Sequence, residues 1–182
     1  MAGELTGKKV AFLAADGVEQ VELIEPRRAV EEAGAETVVV SIADGEIQAF
    51  NHLDQGDKIK VDLTADMADP SEFDALVLPG GVANPDFLRQ DPDAVRFVRS
   101  FFEQDKPVGV ICHGPWTLVE ADVVRGRTLT SWPSLRTDLR NAGADWVDEE
   151  VHVDGRVVSS RNPDDIPAFN RKIVEVFAGG GS

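Results

Sequence analysis

Cysteine is nearly absent from this chain of 182 residues: Cys112 stands alone, so no internal disulfide can form. A lone thiol fits a reducing compartment, and the expected location is the cytoplasm. Basic residues are also scarce. Lys and Arg total 18 against 33 Asp and Glu, a formal net charge of −15. A surface this negative repels phosphate backbones, so nucleic acid is not expected as a partner. No apolar run reaches membrane-spanning length, and the segment from Met1 to Lys9 has no apolar signal core, so no membrane role is expected. The three histidines, His52, His113 and His152, are scattered and give no metal-ligand spacing with the one cysteine. No GxGxxG or P-loop is found, so nucleotide binding lacks a motif. What remains is an ordinary globular composition, 42% hydrophobic and 28% charged, which excludes the disordered and collagen-like classes. The length suits one domain over 1–182, with 178–182 expected as a mobile tail.

Apolar runs alternate with helical patterns. Strands are expected over Lys9 to Ala15, Thr37 to Ile42, Ala75 to Leu78 and Val108 to Ile111. Helices are expected from Glu19 to Ala33 (with Val21, Ile24 and Val30 at helical spacing), Pro92 to Gln104, a short one ending at Ala121, Ser134 to Asn141, and Pro163 to Phe177. Pro26 should kink the first helix or restart it. Asp154-Gly155 marks a hairpin between Trp146 and Ser160. Residues 44–72 read as polar and irregular, with short strand candidates near Glu46 and from Lys58 to Val61. The alternation points to an α/β fold around a mostly parallel sheet covered on both faces.

Ligands of open parallel sheets bind beyond the carboxyl ends of the strands. Three such ends carry unusual residues: Glu19 after the first strand, Gly80-Gly81 after Leu78, and Cys112 after Ile111. Cys112 sits at a strand-to-helix turn, where Gly114 permits a tight bend and the helix N-terminus should lower the thiol pKa. The alternative is a buried inert thiol. His113 reads as a base for that thiol or as a residue capping the turn. Glu19 reads as a helix N-terminal carboxylate, or as a cleft acid protonated beside a thiolate. Gly80 and Gly81 could present backbone N–H groups to an oxyanion, or form a simple turn. His52 and His152 read as surface residues, and Trp116 as packing; Trp132 could shape the cleft or pack.

At these residues the chain resembles the ThiJ/PfpI family of the class I glutamine-amidotransferase-like superfamily. The matching pieces are Gly17-Val18-Glu19-Gln20-Val21-Glu22, Phe73-Asp74-Ala75-Leu76-Val77-Leu78-Pro79-Gly80-Gly81 and Lys106-Pro107-Val108-Gly109-Val110-Ile111-Cys112-His113-Gly114-Pro115. Weaker matches follow at Thr130-Ser131-Trp132-Pro133, Asn141-Ala142-Gly143 and Ser159-Ser160-Arg161. The resemblance implies a flavodoxin-like three-layer α/β sandwich. It makes Cys112 the nucleophile, His113 its neighbour and Glu19 the acid touching the thiolate. In the PfpI-like branch a further acid reaches across a subunit interface from the loop after the Gly-Gly. Here that loop is Val82-Ala83-Asn84-Pro85-Asp86, and Asp86 stands where a Glu is expected. Dimers or higher homo-oligomers, stress-related roles and no cofactor are also implied.

Members of the family are peptidases, glyoxalase-type enzymes and deglycases. The leading expectation is a cysteine-dependent enzyme for reactive dicarbonyls or glycated protein, acting through a hemithioacetal at Cys112. Its rivals are an intracellular cysteine peptidase using Cys112, His113 and Asp86, and a redox-sensing stress protein or holdase in which Cys112 is oxidised.

Overall fold

The computed structural model describes residues 3–180. In chain order the elements are β1 (Lys9–Leu13), β2 (Val18–Glu19), α1 (Gln20–Glu32), β3 (Glu36–Ser41), β4 (Glu46–Asn51), β5 (Asp54–Lys60), β6 (Leu63–Thr64), β7 (Ala75–Leu78), α2 (Ala83–Arg89) and α3 (Pro92–Glu103). They continue with β8 (Val108–Ile111), α4 (Pro115–Glu120), β9 (Thr128–Leu129), α5 (Arg136–Asn141), β10 (Asp145–Trp146), β11 (Val151–Asp154), β12 (Val157–Ser160) and α6 (Ile166–Phe177).

Seven strands form the central sheet in the order β11-β12-β8-β7-β1-β3-β6. Every pairing is parallel except that of β11 with β12, the hairpin turning at Gly155 and Arg156. Successive side chains of a strand face opposite sides, and here both sides are covered, so the central strands are apolar throughout. Val10, Phe12 and Val77 pack with Leu23 and Val30 of α1 and with Phe169, Ile173 and Phe177 of α6. Ala11, Leu13, Leu76 and Leu78 pack on the other side with Phe97, Phe101 and Leu118. This is the flavodoxin-like three-layer sandwich. Gly109 of β8 lets α6 close on the sheet, because a Cβ there would lie 2.7 Å from Ile173 Cγ2.

Three expectations are corrected. First, α1 runs through Pro26 without breaking; the proline removes only the bond that its N–H would have given the carbonyl of Glu22. The buried face of α1 is Glu22, Leu23, Pro26 and Val30, so the helix is rotated from the expected Val21–Ile24–Val30 stripe. Second, residues 46–60 form a full antiparallel hairpin, β4 with β5, interrupted by a register shift between Gln48 and Phe50. Its strand β4 pairs with β2, which brings the hairpin tip beside the start of α1. Third, the segment after Gly81 opens a helix, α2, rather than a loop. At the end of α6 the Gly179 N–H donates to Val176 O and the Gly180 N–H to Glu175 O, both at 3.0 Å, with Gly179 at φ +110°. That is a Schellman cap. Residues 181 and 182 of the expected tail lie outside the described residues.

Candidate active site

The ends of β1, β7 and β8 open on one cleft of about 390 Å³, walled by Gly81 and Val82 after β7, Cys112 and His113 after β8, and the hairpin tip at Phe50, His52 and Leu53. Trp132 forms another part of the wall, and Glu19 and Glu22 line it too. The surroundings are otherwise mostly apolar.

Cys112 is held in the left-handed region, φ +63°, where a side chain other than glycine's is strained. Such strain costs about 1–3 kcal/mol and needs fixed surroundings. They are present: the Cys112 N–H donates to Ser160 O at 3.1 Å, and Cys112 O accepts from the Trp132 N–H at 3.0 Å. The bend therefore falls on the cysteine itself. Gly114 has an ordinary helical φ of −50°. It is glycine for space, since a Cβ there would lie 2.8 Å from Leu78 O.

The carboxyl against the thiol belongs to Glu22, not to the expected Glu19. Glu22 is completely buried, and its Oε1 accepts from the Gly80 N–H at 3.0 Å. Its side chain also interacts with Cys112, while Oε2 makes no conventional hydrogen bond. Burial, and next the charge of Glu19, push the Glu22 carboxyl up to about 8. The Cys112 thiol is likewise pushed far above the ordinary thiol range, by burial and then by Glu22. The expected lowering by a helix N-terminus does not prevail. Backbone N–H groups of Gly81 and His113 face the sulfur and favour its anion, but more weakly than burial opposes it. Two adjacent buried acids cannot both ionise cheaply, so at neutral pH the pair holds both protons.

His113 Nδ1 lies 3.2 Å from Cys112 Sγ, so the adjacent side chains do meet. The imidazole stacks on Trp132, centroids 5.5 Å apart, and meets the edge of Trp116 at 5.2 Å. Burial pushes its pKa down to about 4, which leaves it neutral near pH 7. Trp116 packs and donates from Nε1 to Asp138 Oδ2 at 2.9 Å.

Of the expected backbone donors, the Gly80 N–H is already taken by Glu22, and only Gly81 presents its N–H to the sulfur. Asp86 is not brought to the cleft of its own chain; it lies exposed on α2, 3.4 Å from Gln90 Nε2. Glu19 stands at the N-cap position of α1 without a capping side-chain bond, and its Oε1 accepts from the His52 N–H at 2.6 Å. His52 is therefore a cleft residue rather than a plain surface one, set at φ +60° at the hairpin tip. His152 stays outside the cleft, with Nδ1 2.9 Å from Glu149 Oε2. Among the described residues no group of three or more His, Cys, Asp or Glu could hold a metal ion, and no helix is long and apolar enough to cross a membrane.

The profile of the DJ-1/PfpI family matches residues 8–176. The chain belongs to the DJ-1/PfpI family. It is 47% identical over 169 residues to Deglycase TK1284 of Thermococcus kodakarensis, covering 93% of this chain and 99% of that one. Identity to Deglycase PfpI of Pyrococcus furiosus is 46%, over the same 93% and 99%. YraA of Bacillus subtilis, whose name marks it as a candidate cysteine protease, is 43% identical, covering 93% of this chain and 98% of that one. Among solved structures, a two-domain Anabaena variabilis protein with DJ-1/ThiJ/PfpI-like and ferritin-like domains superposes with a TM-score of 0.88 at 39% identity. The match covers 96% of this chain and 49% of that protein, so this chain spans about half its length. Drosophila melanogaster DJ-1beta superposes with a TM-score of 0.86 at 26% identity, covering 98% and 92% of the two chains.

Proposed function

We propose that this protein is a cysteine-dependent enzyme for α-oxoaldehydes of the methylglyoxal type and for their early adducts on protein. The observation that carries the reading is the Cys112–Glu22 pair: a thiol on a strained elbow beside an acid whose pKa of about 8 suits proton transfer near neutral pH. Relatives named as deglycases support it.

The reactive form is the pair after it has lost one proton, with the remaining proton shared between sulfur and carboxyl. Gly81 and His113 N–H groups steady the sulfur anion. Sulfur adds to the aldehyde carbon, the carbonyl π pair moves to oxygen, and that oxygen takes the proton of Glu22. The product is a hemithioacetal. With an amine adduct, sulfur displaces the amine instead: the S–C bond forms, the C–N bond breaks, and the amine leaves with the Glu22 proton. The Glu22 carboxylate then carries the C1 proton toward the neighbouring carbonyl through an enediol. C1 is oxidised and C2 reduced within one molecule, so no external oxidant enters. Water cleaves the resulting thioester, a hydroxy acid leaves, and sulfur recovers its charge. The same N–H groups would hold the oxyanion at each addition.

Wild type should release lactate from methylglyoxal without glutathione, and Cys112→Ala should release none above the uncatalysed background. Equal release by both would end this reading.

Peptide cleavage is the second reading, favoured by the 3.2 Å Cys112–His113 contact. It needs an imidazolium to protonate the departing amine. An imidazole held at about 4 serves that role poorly, and Asp86 does not reach it within the chain. Oxidation of Cys112 as a stress signal is a third reading of the same thiol.

A further inference from the structure

Glu19 has a place in the cleft that the reaction above does not use. Its backbone is fixed to the floor of the site: the Glu19 N–H donates to Gly80 O at 3.3 Å, and the residue pairs with Phe50 of β4. Glu19 is only 8% exposed, and its side chain reaches the tip of the β4–β5 hairpin. There Oε1 and Oε2 accept from the His52 N–H at 2.6 and 3.3 Å. Packing does little to hold that tip, because the His52 side chain is 82% exposed and Leu53 95%. His52 also sits at φ +60°, a strained conformation that persists only where the surroundings fix it. The ladder below the tip is interrupted by the register shift between Gln48 and Phe50. A two-stranded hairpin is marginal in water by itself, so a bond from outside it decides where the tip rests.

Gln20 holds the returning strand. Its Oε1 accepts from the Asp57 N–H at 2.7 Å, and its Nε2 donates to Asp57 Oδ2 at 3.0 Å. The strand lies so close that a Cβ on Gly56 would be 2.2 Å from Gln20 Oε1. The hairpin is thus gripped at two points by adjacent residues at the start of α1. Phe50, His52 and Leu53 of the gripped tip wall the cleft that holds Cys112.

We propose that Glu19 is a positioning residue: its carboxylate latches the hairpin tip in place as a wall of the cleft, and release of the latch opens Cys112 to larger groups. The effect on Cys112 passes through Phe50, His52 and Leu53. It is a property of the cleft and holds whichever reaction takes place there.

Cys112 is the chain's single cysteine, so its modification reports on this cleft alone. The test compares its labelling by two neutral methanethiosulfonates, the methyl reagent and the much larger N-biotinylaminoethyl reagent, in wild type, Glu19→Gln and Glu19→Ala. Each rate is divided by that on free cysteine. Both substitutions remove the charge, whose effect on the thiol is the same for either reagent, so the large-to-small ratio reads access. Gln keeps an oxygen for the His52 N–H and Ala does not. The ratio should rise about tenfold over wild type in Glu19→Ala, the worth of one hydrogen bond to a charged group. In Glu19→Gln most of that rise should be absent. An unchanged ratio in Glu19→Ala overturns the latch, and so does an equal rise in Glu19→Gln. Hydrogen exchange at the His52 amide needs no variant: in wild type it should be slower than in unstructured peptide by about tenfold or more. Exchange at the unstructured rate overturns the latch even if Glu19→Ala cannot be purified. Neither measurement needs turnover, so loss of lactate release would defeat the proposed function and leave the latch standing.

Discussion

At pH 8 and above, Glu22→Gln should withstand denaturant better than wild type while losing nearly all activity. Folding raises the Glu22 pKa from 4.5 to about 8. Between those values the folded state holds a proton that the unfolded chain has released. The native protein binds more protons than the unfolded one, so stability falls as pH rises through this window. The shift corresponds to about 5 kcal/mol, an upper bound reached only above pH 8. Below pH 4.5 both states are protonated and the difference vanishes. Gln keeps an acceptor for the Gly80 N–H and carries no charge, so its stability should lack this slope. Urea midpoints of both proteins across pH 4 to 9 measure it. Parallel curves would show that Glu22 is an ordinary carboxylate. Activity should move the opposite way, because the amide cannot share or deliver a proton; a fall of about 10²–10⁴ in kcat/KM is expected. In wild type, kcat/KM should rise with pH toward a plateau just above 8, as the pair loses its first proton.

The second large effect is expected at Gly80. A Cβ there would lie 2.6 Å from Cys112 Cβ, 2.6 Å from Glu22 Oε1 and 2.9 Å from Ile111 O. Two of these atoms belong to the reacting pair, and the third is backbone that cannot yield. Gly80→Ala must therefore push sulfur and carboxyl apart or move the end of β8. Overpacking of this kind destabilises by about 1–3 kcal/mol. Turnover should suffer more than stability, by a hundredfold or more, since misplacement by about 1 Å can cost that much. Near-normal kcat in Gly80→Ala would mean that the close approach of Cys112, Glu22 and the β7 end is not needed for the chemistry.

The scaffold of this site was readable because its strands are short uninterrupted apolar runs. β7 (Ala75–Leu78) and β8 (Val108–Ile111) coincide with the sequence reading. The β4–β5 hairpin was not readable as such: Glu46 to Lys60 is largely polar, and its half-exposed strands carry no sustained alternation. Helix α2 was obscured because Asn84 and Pro85 look like turn residues. Both are buried, and Asn84 donates from Nδ2 to Pro79 O and Gly80 O. Glu19 was singled out by its place after the first strand and by the family resemblance, while the Val21, Ile24 and Val30 stripe left Glu22 outside the inner face. The stripe at Glu22, Pro26 and Val30, spaced by four, is equally present in the sequence and puts a carboxylate on an apolar face. A charge on a buried stripe was the available signal. The turn at Cys112 was foreseen but with its bend at Gly114, and the burial of the thiol depends on the hairpin tip and Trp132 that wall the cleft and are remote in sequence.

The central claim is that chemistry passes covalently through Cys112 with Glu22 carrying the proton. The most direct test is intact and peptide mass spectrometry of wild type and Glu22→Gln, acid-quenched during steady-state incubation with methylglyoxal. Wild type should show little adduct at steady state. Glu22→Gln, able to add slowly but not to move the C1 proton, should accumulate a single adduct of the mass of one methylglyoxal on the Cys112 peptide. Adducts spread over arginines and lysines with Cys112 unmodified, or an unlabelled Cys112 in a variant that still turns over, would contradict the account.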